Sequence, residues 1–537
     1  MLDWITFSAI LYSLMIKFLL VIIFIMAGFP VQAQDSKGMP LADQELIRWM
    51  KANICVATGM PCSFQMGRDK RAAFLKIGQE NSTTNIIERT ILNEGISIYD
   101  ASLWQIVLSQ TGNPHDLAMT RIPLAYYWEG AFKEFIDIRS GADSQNFVYD
   151  PKQPEAVTSS VDKKGFRGFI FRILDASGQY LSRDPLDGKS RYEYFPNDPH
   201  IHWEDWKPIA GENAWVAMAS MHLLQHVAQE KKASSMELNL ARELARAAMI
   251  LQADNGGIRM APLGTYYHLL NIPTNISDDK ITRALDKMSA KFNINVPQQV
   301  NERIGGIDYP PYHTWYYEEI STENNLSWYA ALRMLYQATG EVKYLHAMER
   351  IEVYLKSVWD PQHNVFYQGE HFVHGRWIAN TAYFASDVQN WAIDVLGPQK
   401  IDAWFGVGRA YEMWRATRLY AGVYNQEGLA GIGYTKENDR LSIEWTAGAI
   451  LAVRKMAVYY SATHPVWADQ LRKDAQTMRS GVEVYRIQVT PHESAYAYSS
   501  KRRWIPFGWF SSGQDVMSLA STAWIVLIDS GSDPFIS

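Results

Sequence analysis

Six segments of the chain carry apolar residues around most of a helical circumference, each following a turn and a polar or acidic residue. They are YDASLWQIVL from Tyr99, ENAWVAMASMHLL from Glu212, ENNLSWYAALRMLY from Glu323, SDVQNWAIDVL from Ser386, IEWTAGAILAV from Ile443 and LASTAWIVLI from Leu519. A helix that is apolar on nearly every side is buried on nearly every side. Helices with a clear polar face run between several of them, at 237–251, 342–355, 405–420 and 465–485. Buried helices alternating with amphipathic ones predict an all-α architecture of two concentric layers. Six hairpins cover their faces by stacking sideways, and closing the stack into a ring removes its exposed ends. Uneven spacing between the buried helices predicts insertions at about 140–210 and 255–320. The first contains GFIFRILD, whose alternation predicts a short β-hairpin. The rival organisation is two helical domains joined near residue 300.

The chain begins differently. The apolar run FLLVIIFIMAG (18–28) follows Lys17 and precedes Pro30-Val31-Gln32-Ala33. Small or modest residues at Val31 and Ala33 suit a signal peptidase, so 1–33 reads as a signal peptide cleaved after Ala33, with Met15 as a more compact start. A membrane anchor is the competing reading, because apolar character extends back towards Ile5. No later apolar run reaches the roughly 18 residues of a spanning helix. The expectation is one mature domain, 34–537, periplasmic or secreted, monomeric, and free of the membrane after cleavage. In an oxidising compartment Cys55 and Cys62, the two cysteines of CVATGMPC, are expected to form a local disulfide, with Gly59 and Pro61 turning the chain back.

Composition changes the picture in two places. A net charge of −6 and the lack of a Lys/Arg cluster argue against nucleic acid. An aromatic content of 13%, with 19 Trp and 29 Tyr, fits either an aromatic core or a cleft whose rings stack on sugar faces.

STENNLSWYAALRMLYQATGEVKYL, VWDPQHNVFYQG and ASDVQNWAIDVLG, within 321–397, resemble the STEHN-L-x-x-YA stretch, G-x-F-x-x-G turn and D-x-Q-x-W-A helix of exported bacterial proteins in the six-hairpin (α/α)6 glycosidase superfamily. GENAWVAMASM resembles their G-x-NAW-x-x-x-A helix start, and Asn324 stands where that pattern has His. The resemblance covers nearly all of the expected mature chain. It implies an (α/α)6 toroid and a carbohydrate ligand. Hydrolases, phosphorolytic enzymes, epimerases and lyases share this fold, so activity has to be argued from the site.

In such a ring the inner helices run one way and their N-termini gather at one end, where unpaired N–H groups carry partial positive charge. Asp100, Glu212, Glu323, Asp387 and Glu444 all fall in first turns. Glycoside cleavage needs one carboxyl group to protonate the leaving oxygen and another to activate water or attack carbon. Glu323, Asp387 and Glu444 are therefore the expected catalytic residues. Asp100, Glu212, Asn213, Asn324, Asn325, Gln389, Trp391 and Trp445 are the expected substrate contacts. The competing reading is local: first-turn acids stabilise helices, Thr322 caps the helix of Glu323, and Ser386 with Gln389 forms a capping box. Trp215, Trp328, Trp391, Trp445 and Trp524 then serve as core.

Arg502 and Arg503, beside Trp504, Trp509 and Phe510, suggest either a lid or a subsite for an acidic sugar. His313, His371 and His374 with Tyr316 or Tyr317 would suit a lyase. No P-loop, Rossmann glycine pattern, HExxH helix or GxSxG elbow is present, and no metal or cofactor is expected. The expected function is hydrolysis of an oligo- or polysaccharide by inversion. A non-catalytic glycan-binding or polysaccharide-assembly factor and a polysaccharide lyase are the alternatives.

Overall fold

A computed structural model describes residues 41–55, 58–66, 95–132, 168–170, 172–174, 208–262, 315–373, 375–381, 383–505 and 509–537. The expected signal segment and most of both insertions lie outside these residues. Contacts divide the chain into residues 1–44 and 45–537, and everything below concerns the second unit.

Its helices, in chain order, are α1 (Leu41–Ala52, here from Glu45 on), α2 (Ile98–Gln110), α3 (Pro114–Phe132), α4 (Ala210–Leu224), α5 (Met236–Ile250), α6 (Thr322–Thr339) and α7 (Val342–Ser357). There follow α8 (Ser386–Leu396), α9 (Pro398–Phe405), α10 (Arg409–Ala421), α11 (Ile443–Tyr460), α12 (Pro465–Glu483) and α13 (Leu519–Asp529). The six wholly apolar segments are α2, α4, α6, α8, α11 and α13. Each packs against the next, and α13 packs back on α2, closing the ring. α3, α5, α7, α10 and α12 lie outside them. α1 occupies the sixth outer position in chain order and receives a hydrogen bond from the Trp104 indole of α2 at Met50 O, 2.8 Å. The six outer–inner hairpins close into one ring. No helix of the described residues is long and apolar enough to cross a membrane.

A short extended segment leads into most inner helices and ends on a capping residue. Ser97, Ser321, Ser442 and Ser518 each accept a backbone N–H of the first turn through the side chain, a strongly preferred way to satisfy an orphan donor. Ser321, not Thr322, therefore caps α6. α8 has no side-chain cap: Ser386 Oγ donates to Gly433 O instead, and Gln389 is engaged elsewhere, so the expected capping box is absent. Within GFIFRILD, Ile173–Leu174 pairs antiparallel with the distant Ile96–Ser97, and most of the rest of the expected hairpin region lies outside the described residues.

The ends of the ring differ. At the C-terminal end of the inner helices, Phe535 meets Trp215, Trp391 and Trp524 at ring-centroid distances of 5.3, 5.7 and 6.1 Å. This tail is held by His222 on Pro534 O, Arg333 on Phe535 O and Lys455 on Asp533. Trp215, Trp328 and Trp524 are fully buried, and Trp391 and Trp445 are 5% and 6% exposed. The inner-helix tryptophans are thus core, and the carboxylates crowd the opposite end above them.

Candidate active site

Cys55 and Cys62 are disulfide-bonded across a short antiparallel pairing, Ile54 with Pro61 and Cys55 with Met60. The staple delivers Ser63, whose hydroxyl accepts Ser97 N–H and hydrogen-bonds Asp100 at the start of α2. Asp100 is 5% exposed, and burial pushes its carboxyl up to about 8.

Going round the ring, Glu212 opens α4 and is paired with Arg172, Nε to Oε1 2.9 Å. Arg172 is a site residue that sequence reasoning passed over; its only signal was a cation inside an otherwise apolar alternation. Glu323 opens α6 and is partly exposed. It accepts Ser327 Oγ–H at 3.0 Å, and its carboxyl lies well above the usual range because of burial and the charges of Asp387, Glu212 and Glu444. Asp387, 9% exposed, is raised by burial to about 7 although backbone N–H groups bond it, and its Oδ1 has no protein partner. Glu444, 8% exposed, is likewise raised by burial to about 7 and accepts the Tyr99 hydroxyl at 2.6 Å. The five first-turn acids thus meet at one end of the ring, where the charge of Glu444 helps to raise Asp100, Glu323 and Asp387.

The expected amide contacts divide. Asn213 Oδ1 accepts Ile170 N–H, and its Nδ2 donates to Ile170 O and Ile209 O. Asn325 treats Ile258 N and O the same way and also donates to Ser321 O. Gln389 clamps Phe366 N and O and donates to Ala385 O. All three are fully buried, with both amide ends consumed by backbone, so they build the scaffold instead of facing a ligand. Asn324 differs: it is 3% exposed, its Nδ2 has no protein partner, and its Oδ1 lies against Gly211 of α4.

Trp391 lies 6.4 Å from Tyr99 and 5.3 Å from Trp215, forming floor beneath the carboxylates, and Trp445 packs edge-on to Tyr434 at 4.8 Å. Neither offers a free face. The basic loop near the end is a β-hairpin, Arg503–Ile505 with Trp509–Ser511, in which Arg503 and Lys501 both pair with Asp439. His371 pairs with Glu319, Tyr317 lies under the Arg259 guanidinium at 4.1 Å, and His313 and His374 fall outside the described residues. Among the described residues no three His, Cys, Asp or Glu are grouped as metal ligands.

No protein-family model and no curated protein matches the chain. Solved structures similar to it include a sugar epimerase from a ruminal bacterium, at 10% identity over 92% of this chain and 98% of that one, TM-score 0.49. A D-mannose isomerase is similar at 10% identity over 92% and 99%, TM-score 0.47. The GH76A α-1,6-mannanase of Salegentibacter sp. HEL1_6 is similar at 9% identity over 91% and 96%, TM-score 0.44. With its six inner helices closed on themselves inside an outer layer, residues 45–537 form an (α/α)6 toroid.

Proposed function

We propose that this toroid is a carbohydrate-active enzyme, a glycoside hydrolase acting on an oligo- or polysaccharide. One observation carries the reading: acids from five inner helices converge at one end of the ring, and their environments differ in the sense that acid–base cleavage requires. Glu323 is reachable by solvent, and burial with the charges of Asp387, Glu212 and Glu444 raises its carboxyl well above the usual range, which suits donation to the leaving glycosidic oxygen. Glu444 accepts a hydroxyl hydrogen bond and titrates near neutrality, which suits it to take a proton from water. Asp387 stands on the helix between those two, and its buried Oδ1 has no protein partner. Glu323 and Glu444 come from helices that α8 separates in the ring, and inversion is the course proposed for the pair.

Purified protein offered a panel of glycans is expected to release new reducing ends, with the first-formed anomer inverted by NMR. Glu323→Gln and Glu444→Gln should each abolish release while leaving the thermal melt within a few degrees, since an amide keeps the shape and loses the proton chemistry. Full turnover in both variants would overturn the assignment, and glycan retention without new ends in the native protein would make it a binding factor. Export belongs to the same proposal: the secreted or periplasmic protein is expected to start at Gln34, and material retaining residues 15–33 would be membrane-anchored.

A further inference from the structure

Tyr99 lies immediately before one of the first-turn acids, and its hydroxyl joins three inner helices. Trp524 Nε1 on α13 meets Tyr99 Oη at 2.8 Å, and Tyr99 Oη meets Glu444 Oε1 on α11 at 2.6 Å. The direction of this chain is forced. An indole N–H only donates, so Tyr99 Oη accepts from Trp524, and its single proton is left for Glu444. Glu444 must then accept at Oε1. We propose that Tyr99 is a positioning residue that assigns the catalytic base: the one-way chain Trp524 to Tyr99 to Glu444 holds Glu444 as an acceptor in the cavity and selects it over Asp387 to take the proton of the attacking water. This rests on the hydrolase reading.

The surroundings agree. Tyr99 is pinned edge-on to Trp215 at 5.0 Å, so its hydroxyl has one place to be. A phenol hydrogen bond to a carboxylate is charge-assisted and favours the ionised form. α2 faces Glu444 with Tyr99 and Asp100, α8 with Asp387, α6 with Glu323, and the strand side with Tyr434; α13 brings the Trp524 indole. Once Glu444 is ionised, its charge raises Asp100, Glu323 and Asp387. Holding the charge on Glu444 therefore keeps the proton on Glu323, where the leaving oxygen needs it. In the water-attack step the water O–H proton passes to Glu444, the oxygen bonds the anomeric carbon, and the glycosidic oxygen leaves with the proton of Glu323.

Tyr99→Phe keeps the ring against Trp215 and removes only the hydroxyl. Expected are a KM within about twofold, a kcat lowered on the order of 10–100-fold, and an ascending limb of the kcat–pH profile moved up by about one pH unit. A merely structural role would lower activity without moving that limb. The same shift is expected without substrate, in a carboxyl infrared titration of the resting protein. The shifted band should be missing from Glu444→Gln. Trp524→Phe, which frees the Tyr99 hydroxyl to turn, should produce a smaller shift in the same direction, and it serves as the test if Tyr99→Phe does not fold. An unmoved titration in Tyr99→Phe, or a shifted band that survives Glu444→Gln, would overturn the proposal. A moved titration in a protein that cleaves no glycan would overturn the hydrolase reading, and with it the role of Glu444 as base, while confirming the polarity of the chain.

Discussion

Gly211 marks a close approach between two inner helix starts, those of α4 and α6. A Cβ added there would lie 2.2 Å from Asn324 Oδ1 and 3.2 Å from Glu323 Oε2. Asn324 is buried and cannot swing clear, so Gly211→Ala must push α4 and α6 apart or displace both side chains. A loss of about 1–3 kcal/mol in urea unfolding is expected, with a larger fractional loss of glycan turnover, because the displaced group is the proposed acid. Retention of both would show that Asn324 is free to move. At this scale the sequence was a partial guide. First-turn position picked out all five acids, because helix starts announce themselves through caps and charge. Tyr99 went unremarked although it stands beside Asp100, because its partners come from α11 and α13, and nothing local in a sequence records a partner that far away.

Asn213, Asn325, Gln389, Thr446 and Thr522 occupy one equivalent place on five inner helices, four residues after the N-cap. Each bonds the backbone of a segment lying against the helix: Ile170, Ile258, Phe366, Ile432 and Tyr496. The repeat explains how loops of unequal length are all brought to the mouth of the ring. Asn325→Ala strands the buried Ile258 N–H and C=O and is expected to cost about 1–3 kcal/mol by denaturant unfolding, without moving the pH limb assigned to Glu444. A polar residue in a buried first turn can be a ligand or a clamp, and only the segment crossing it decides. The inner helices were legible because burial all round leaves no polar stripe. α3 was passed over because Pro123 interrupts a helix whose apolar residues spread round its circumference. Ile173–Leu174 was legible as strand but not in its pairing, which joins it to Ile96–Ser97 across the gap between hairpins.

For the whole ring, gathering acids at one end sets the response to pH. Asp100, Asp387 and Glu444 hold their protons more tightly folded than unfolded, with folded values near 8, 7 and 7. Stability from such groups is complete below the unfolded carboxylate range and is lost as pH rises through the folded values. His222 works oppositely, since burial lowers it and folding gains as pH rises to its ordinary value, so the clean window lies above about pH 6.5. The melting temperature is expected to fall between about pH 6.5 and 8.5, and Asp100→Asn should flatten that fall; a flat native profile would contradict the burial of these groups. The closure of α13 on α2 has a consequence in time. The Trp524–Tyr99 bond spans 425 positions of sequence and the Tyr99–Glu444 bond 345. Contacts so non-local are slow to form, whereas each hairpin is local and fast. During refolding, helical signal is therefore expected to return before the Trp524 environment and catalytic competence, which should recover together as the seam shuts. The proposed base meets its positioning partners only where this joint closes, so a half-built ring is expected to hold its helices without that site.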